Sequence, residues 1–180
     1  MGRSYVGGVI DSCGSIRNNR VRVSCPPHVL RKVVAVLDSH TVPYKLQTTQ
    51  LTIGQEEGLI LLYATVPLVC TAKKAALKKV VTRMCVGGLE PYPLPELDGR
   101  EWLLGVMSMR GDHIVSGKNQ WYSITHTDTD LVRYVGQVLT DMDIDYKLYT
   151  VERVGRRTLY NTRIYRLPAI SKLLLTTVQH

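Results

Sequence analysis

Phenylalanine is absent from the 180 residues, acids are scarce, and no long uninterrupted apolar run occurs. Nothing in the pattern explains the missing Phe. The longest apolar candidate, "GLILLYATVPLVC" from Gly58 to Cys70, is broken by Pro67. It falls short of the ~20 residues that cross a bilayer, so a membrane-spanning helix is excluded from the reading and no membrane partner is expected. No apolar leader and no Arg- and Ser-rich transit stretch precedes the fold-like segment at Tyr5. Either the protein works where it is made or a targeting segment has been removed. The four cysteines, Cys13, Cys25, Cys70 and Cys85, form no Cys-x-x-Cys pair and have no His at zinc spacing. That leaves buried reduced thiols in a reducing compartment, cytoplasm or an organelle such as the mitochondrion, and no metal or cofactor. The shortage of acids, 15 against 23 Lys and Arg, gives a net charge of +8. A folded basic chain of this kind favours a polyanionic partner, nucleic acid before an anionic membrane.

What is present is a pattern that occurs twice. "YVGGVIDSCGSI" from Tyr5 is answered by "WLLGVMSMRGDHI" from Trp102, with Gly8 matching Gly105 and Gly14 matching Gly111. "PYKLQTTQL" is answered by "DYKLYTVER". Each half opens with a short glycine-bearing helix. A hairpin follows, "SIRNNRVRVSC" and then "HIVSGKNQWYSITH", with turn-forming Asn-Asn and Ser-Gly-Lys-Asn. Next comes an amphipathic helix, "PHVLRKVVAVLDSH" and "TDTDLVRYVGQVLTDM", with apolar residues at helical spacing. Pro27 lies near the first helix's start, and Asp128, Thr129 and Asp130 supply cap chemistry to the second. A second hairpin is expected in each half: strands over 44–54 and 58–66 in the first, and "YKLYTVERVGRRTLYNTRIYRL" in the second. Closing helices are expected over "TAKKAALKKVVTRM" and "PAISKLLLTTVQ". The Gly- and Pro-rich stretch 86–99 has no period and reads as a linker. The division is therefore 1–85, first repeat; 86–99, linker; 100–180, second repeat.

Those residues resemble the LAGLIDADG homing endonuclease family of the single-chain, two-motif type. "VGGVIDSCGSI" follows its motif through Gly8, Ile10, Asp11, Gly14, Ser15 and Ile16. "LLGVMSMRGDHI" is a degenerate second copy. The resemblance implies an α+β fold: a duplicated αββαββα unit with two saddle-shaped antiparallel sheets and a central two-helix interface, a pseudo-dimer in one monomer. Gly7, Gly8 and Gly105 are then interface positions, because glycine costs a helix about 1 kcal/mol and needs a packing reason.

The family's metal-binding carboxylates, one at the foot of each motif helix, fall at Cys13 and Arg110. Neither supplies the oxygen ligand that a hard cation such as Mg²⁺ requires. Asp11 and Asp112 are the acids left for any residual cleavage. The basic residues of the hairpins, with two glutamines, are the nucleic-acid-binding candidates: Arg17, Arg20, Arg22, Lys45 and Gln47 in the first half. The second half adds Lys118, Gln120, Lys147, Arg153, Arg156, Arg157, Arg163 and Arg166, with Tyr122, Tyr149, Tyr160 and Tyr165 interleaved for stacking. A further basic run, Lys73, Lys74, Lys78, Lys79 and Arg83, marks one helical face, either solvated or docked on a backbone. The expected function is that of a catalytically inactive nucleic-acid-binding protein. RNA is favoured over DNA, for a maturase-like factor or an accessory subunit among the proteins of a ribonucleoprotein such as an organellar ribosome. The alternatives are a DNA-binding homing endonuclease, active or residual, and a DNA-binding regulator.

Overall fold

A computed structural model describes residues 2–85, 95–152 and 154–165, together with Pro168 and Ser171. The first half runs α1 (Arg3–Cys13), β1 (Ser15–Arg17), β2 (Arg20–Ser24), α2 (Pro27–Ser39), β3 (Lys45–Leu46), β4 (Gln50–Ile53), α3 (Glu56–Thr65) and α4 (Thr71–Met84). The second runs α5 (Gly99–Arg110), β5 (Gly111–Ser116), β6 (Asn119–His126), α6 (Thr129–Asp141), β7 (Lys147–Val151) and β8 (Leu159–Ile164). Each half contributes a four-stranded antiparallel sheet, and the strand orders correspond: β1-β2-β4-β3 and β5-β6-β8-β7. Among the described residues no helix is long and apolar enough to cross a membrane.

Local chemistry places the elements. Asn18 and Asn19 both take positive φ, the conformation the β1–β2 turn needs and Asn tolerates. Gly117 does the same between β5 and β6. Pro26 caps α2, with Pro27 in its first turn. The Asp128 carboxylate caps α6 by accepting from the Leu131 N–H at 3.0 Å. In β2, Val21 and Val23 are buried while Arg20, Arg22 and Ser24 are exposed, the alternation of a one-faced strand.

One segment departs from the sequence reading. Residues 58–66 are not the second strand of a hairpin; they lie in α3 and its C-cap, and β3 and β4 alone make the hairpin. Glu56 and Glu57 sit in the first turn of α3, where carboxylates favour a helix start. The run is apolar nearly all round because α3 buries Gly58, Leu59 and Leu62 while Ile60, Leu61 and Tyr63 pack partly against the core. The closing helix expected over 168–179 lies, apart from Pro168 and Ser171, outside the described residues, as does the 86–94 part of the expected linker.

Helices α1 and α5 pack side by side at the centre of one continuous core. Tyr5, Val6, Val9 and Ile10 meet Trp102, Leu103, Val106 and Met107 there, all buried. The pairing is reciprocal. A Cβ on Gly8 would run into the carbonyl of Trp102, and a Cβ on Gly105 into the carbonyl of Tyr5. Tyr5 and Trp102 are themselves equivalent in the repeat, 97 residues apart like Gly8 and Gly105. This is the signature of a pseudo-twofold axis, at which each helix offers a glycine to the other's backbone. Gly7 has a different neighbour: its missing side chain makes room for the Pro67 carbonyl between α3 and α4.

Candidate nucleic-acid interface

At the foot of α1 and α5, where the resemblance places metal-binding carboxylates, the structure has cations. Cys13 ends α1, and its Sγ donates to the Val9 carbonyl at 3.2 Å. Burial pushes the Cys13 thiol pKa up, so it is not a ready thiolate. Arg110 ends α5 and reaches across the axis, its Nε donating to the Ser12 carbonyl at 3.3 Å. Lys73, from α4, donates Nζ to the Ile10 carbonyl at 2.8 Å and also to that of Asp11. These carbonyls lie at the negative end of the α1 dipole, which cations favour; that of Ile10 also accepts the capping Gly14 N–H at 2.8 Å.

His126, at the end of β6, completes the group. Its Nδ1 accepts from the Asp128 N–H at 3.0 Å, which leaves Nε2 to carry the proton and donate to the Ser12 carbonyl, 3.2 Å away. Burial lowers the His126 pKa, with Arg110 and Lys73 adding to the effect, so the ring is held neutral. No group of three or more His, Cys, Asp or Glu side chains able to hold a metal ion exists among the described residues. Donor chemistry agrees: a thiol, an ammonium and a guanidinium do not make a Mg²⁺ site.

Asp11 has a structural task. It is fully buried, and its two oxygens accept from Val69 N–H at 2.7 Å, Cys70 N–H at 3.2 Å and Trp102 Nε1–H at 2.9 Å. Burial raises its pKa, against the pull of these donors and of Lys73. The carboxylate thus ties α1 to the α3–α4 connection and to α5. Asp112 is exposed on β5, paired across from Ser123, and lines a cleft with Arg110, Thr125 and His126.

Strand register sorts the remaining candidates. On the first sheet Arg17 pairs with Arg20, Ser15 and Thr52 flank Arg22, and Lys45 pairs with Thr52. Arg17, Arg20, Arg22 and Lys45 therefore share one outward face, opposite the buried Val21, Val23, Leu51 and Ile53. Gln47 does not extend that face from within a strand; it sits in the β3–β4 turn, its N–H bonded to the Gln50 carbonyl.

On the second sheet Lys147 pairs with Arg163, and Arg163 with Ser123, which places Lys147 and Arg163 outward. Lys118 lies in the β5–β6 turn, and Arg156 and Arg157 lie exposed between β7 and β8. Gln120 is paired with Val115 and by register shares the opposite face from Trp121 and Arg163. Arg153 and Arg166 lie outside the described residues.

The tyrosines divide in the same way. Tyr122 and Tyr160 share the inward face with Ile164 and Ile124, whereas Tyr149 is outward beside Asn161. Lys73, His126 and Trp121 were not singled out as site residues by the sequence. In the sequence Lys73 is one charge in a helical run, and nothing in its spacing marks it as the one turned to α1.

The architecture can be compared with solved structures. The N-terminal LAGLIDADG domain of a DUF199/WhiA protein matches with a TM-score of 0.58 at 14% identity, over 96% of this chain and 80% of that one. Full-length DUF199/WhiA from Thermatoga maritima matches with 0.58 at 12%, over 96% of this chain and 54% of that one. The homing endonuclease I-DmoI, in complex with DNA and Mn, matches with 0.55 at 13%, over 99% and 96%. No family model and no curated protein matches the sequence. The likeness is one of architecture: the chain has the LAGLIDADG homing-endonuclease fold, an α+β arrangement of two four-stranded sheets about a central helix pair.

Proposed function

We propose that this chain binds nucleic acid across the outward faces of its two sheets and does not cleave it by metal-ion catalysis, with 1–85 and 100–180 acting as two repeats. The observation that carries the reading is the foot of the helix pair. There Lys73 and Arg110 hold the α1 carbonyls and Cys13 stands where a carboxylate is needed. The arrangement suits a phosphate backbone, which cations attract, and repels the divalent ions that hydrolysis requires. Asp11 is committed to three donors inside the core and has no free oxygen to offer solvent.

RNA is the favoured target, in the setting of a maturase-like factor or a ribonucleoprotein subunit. The support is the outward aromatic group of the second sheet, because bases available for stacking are a feature of folded RNA. A DNA-binding reading draws on the DNA complexes of I-DmoI.

The experiment is gentle purification followed by RNase or DNase treatment of parallel samples and sequencing of the protected nucleic acid. A discrete RNA fragment is expected. A protected DNA duplex would transfer the reading to DNA, and Mg²⁺-dependent nicking of that duplex would remove the non-cleaving part.

A further inference from the structure

The two outward faces differ in chemistry. The first carries Arg17, Arg20, Arg22 and Lys45 among Ser15, Ser24, Gln50 and Thr52, and no aromatic ring. The second carries a connected aromatic group. Trp121 and Tyr165 lie with ring centres 6.2 Å apart at 40°. The Tyr149 and Tyr165 hydroxyls are hydrogen-bonded at 2.9 Å. The Arg163 guanidinium sits 5.1 Å from the Trp121 ring and 4.5 Å from the Tyr149 ring, and Lys147 Nζ lies 5.7 Å from Tyr165.

The group is braced from below. Arg163 Nε donates to Asn161 Oδ1 at 2.9 Å, and the Asn161 amide donates to Ser123 and Thr125. Trp121 Nε1 is buried and has no partner among the described residues, an exception to the usual pairing of buried donors.

We propose that the two sheets grip different states of one nucleic acid. The first sheet holds the backbone of a paired helix, and the aromatic platform of the second stacks the bases of an adjoining unpaired strand. This rests on the nucleic-acid-binding reading above. Arg163 already fills the space between Trp121 and Tyr149, so the group is a platform and not a pocket. Tyr149 and Tyr165 are 37% and 40% exposed and offer ring surface to solvent. A base has a free π-face only when it leaves its own stack, and aromatic side chains then take it with little regard to sequence. Rings pinned to one another by their hydroxyls are poorly shaped to turn edge-on into a duplex groove. The first face needs no such partner: four cations without aromatic company are suited to phosphates.

The test is fluorescence anisotropy with three labelled probes, a blunt hairpin, an unstructured single strand and the same hairpin with a single-stranded tail, each as RNA and as DNA. The tail should raise affinity about tenfold over the blunt hairpin, the effect of stacking one or two bases. Tyr165→Ala, at an exposed ring, should erase that gain and leave blunt-hairpin affinity unchanged. Trp121→Leu is the second variant. Arg20→Ala with Arg22→Ala should weaken both hairpins and leave the single strand's affinity largely intact. Since Trp102 is fully buried, quenching of Trp emission by the tailed hairpin alone reports Trp121. Equal binding of blunt and tailed hairpins, or an equal loss on both in Tyr165→Ala, overturns the division of labour and leaves the general binding reading standing. No binding to any probe overturns both.

Discussion

Asp11 occupies a motif position at which an acid invites a catalytic reading, and three N–H donors occupy its buried carboxylate. Asp11→Asn keeps the size but turns an NH₂ towards one of three N–H donors. The expected cost is about 2 kcal/mol of stability, the range for a buried polar group left unmatched, visible as a lower denaturant midpoint with an unchanged slope. Wild-type stability in this variant would contradict the structural role.

His126 makes a second prediction at this scale. Its pKa lies below the ordinary 6.5 because it is buried, and because Arg110 and Lys73 lie beside it, against the opposite pull of the Ser12 carbonyl and Asp128. Below pH 6.5 the unfolded chain takes up a proton that the folded one refuses. Stability therefore falls as pH drops below about 6.5, and is recovered as pH rises. Denaturant midpoints across that window should show the slope in the wild type and a flatter one in His126→Gln.

These roles were only partly legible in the sequence. That Cys13 and Arg110 end the two central helices could be read from the motif alone. The bonds of Lys73 and His126 to α1 could not, since they join positions 62 to 114 residues apart with no local spacing to betray them.

At the scale of elements, the glycine pair is the sharpest case. Gly8 and Gly105 each face the other helix's backbone, which cannot retreat as a side-chain tip could. Gly8→Ala and Gly105→Ala should each cost about 3 kcal/mol, at the upper end for overpacking. The double variant should fall short of the sum, because the first substitution already parts the helices. Thermal melts of the three proteins check this; additive losses would mean that the two sites are independent.

The sequence disclosed this interface because glycine inside a helix is costly and appeared twice at corresponding places. It did not disclose α3. "GLILLYATV" has no polar side to set a period, and a short apolar run fits a buried strand as well as a helix. Only Glu56 and Glu57, in the first turn, pointed to the helix start. The outward face of the first sheet was plain, because β2 alternates polar and apolar residues strictly. Which face Gln47 and Gln120 take is not legible from the sequence. Gln47 belongs to a turn where alternation stops, and Gln120 lies one residue out of phase with Trp121.

For the whole molecule the governing quantity is charge arranged on two faces. A net charge of +8 alone would give sequence-independent attraction, but the register concentrates cations where strands point outward. Each phosphate contact made by Lys or Arg releases a counterion, so the logarithm of affinity falls with the logarithm of salt by about 0.9 per contact on a duplex. Arg20→Ala with Arg22→Ala removes two outward cations and should lower that slope by about 2 on a blunt duplex. Arg133→Ala offers a control: Arg133 is exposed on α6 and engaged with Asp130 at 2.7 Å, away from both faces. It should leave the slope unchanged. If the control and the double variant flatten the slope alike, binding is a property of net charge and the sheets do not define the surface. If only the double variant does so, the contacts lie on the first sheet, where register sets Arg17, Arg20, Arg22 and Lys45 on one outward face.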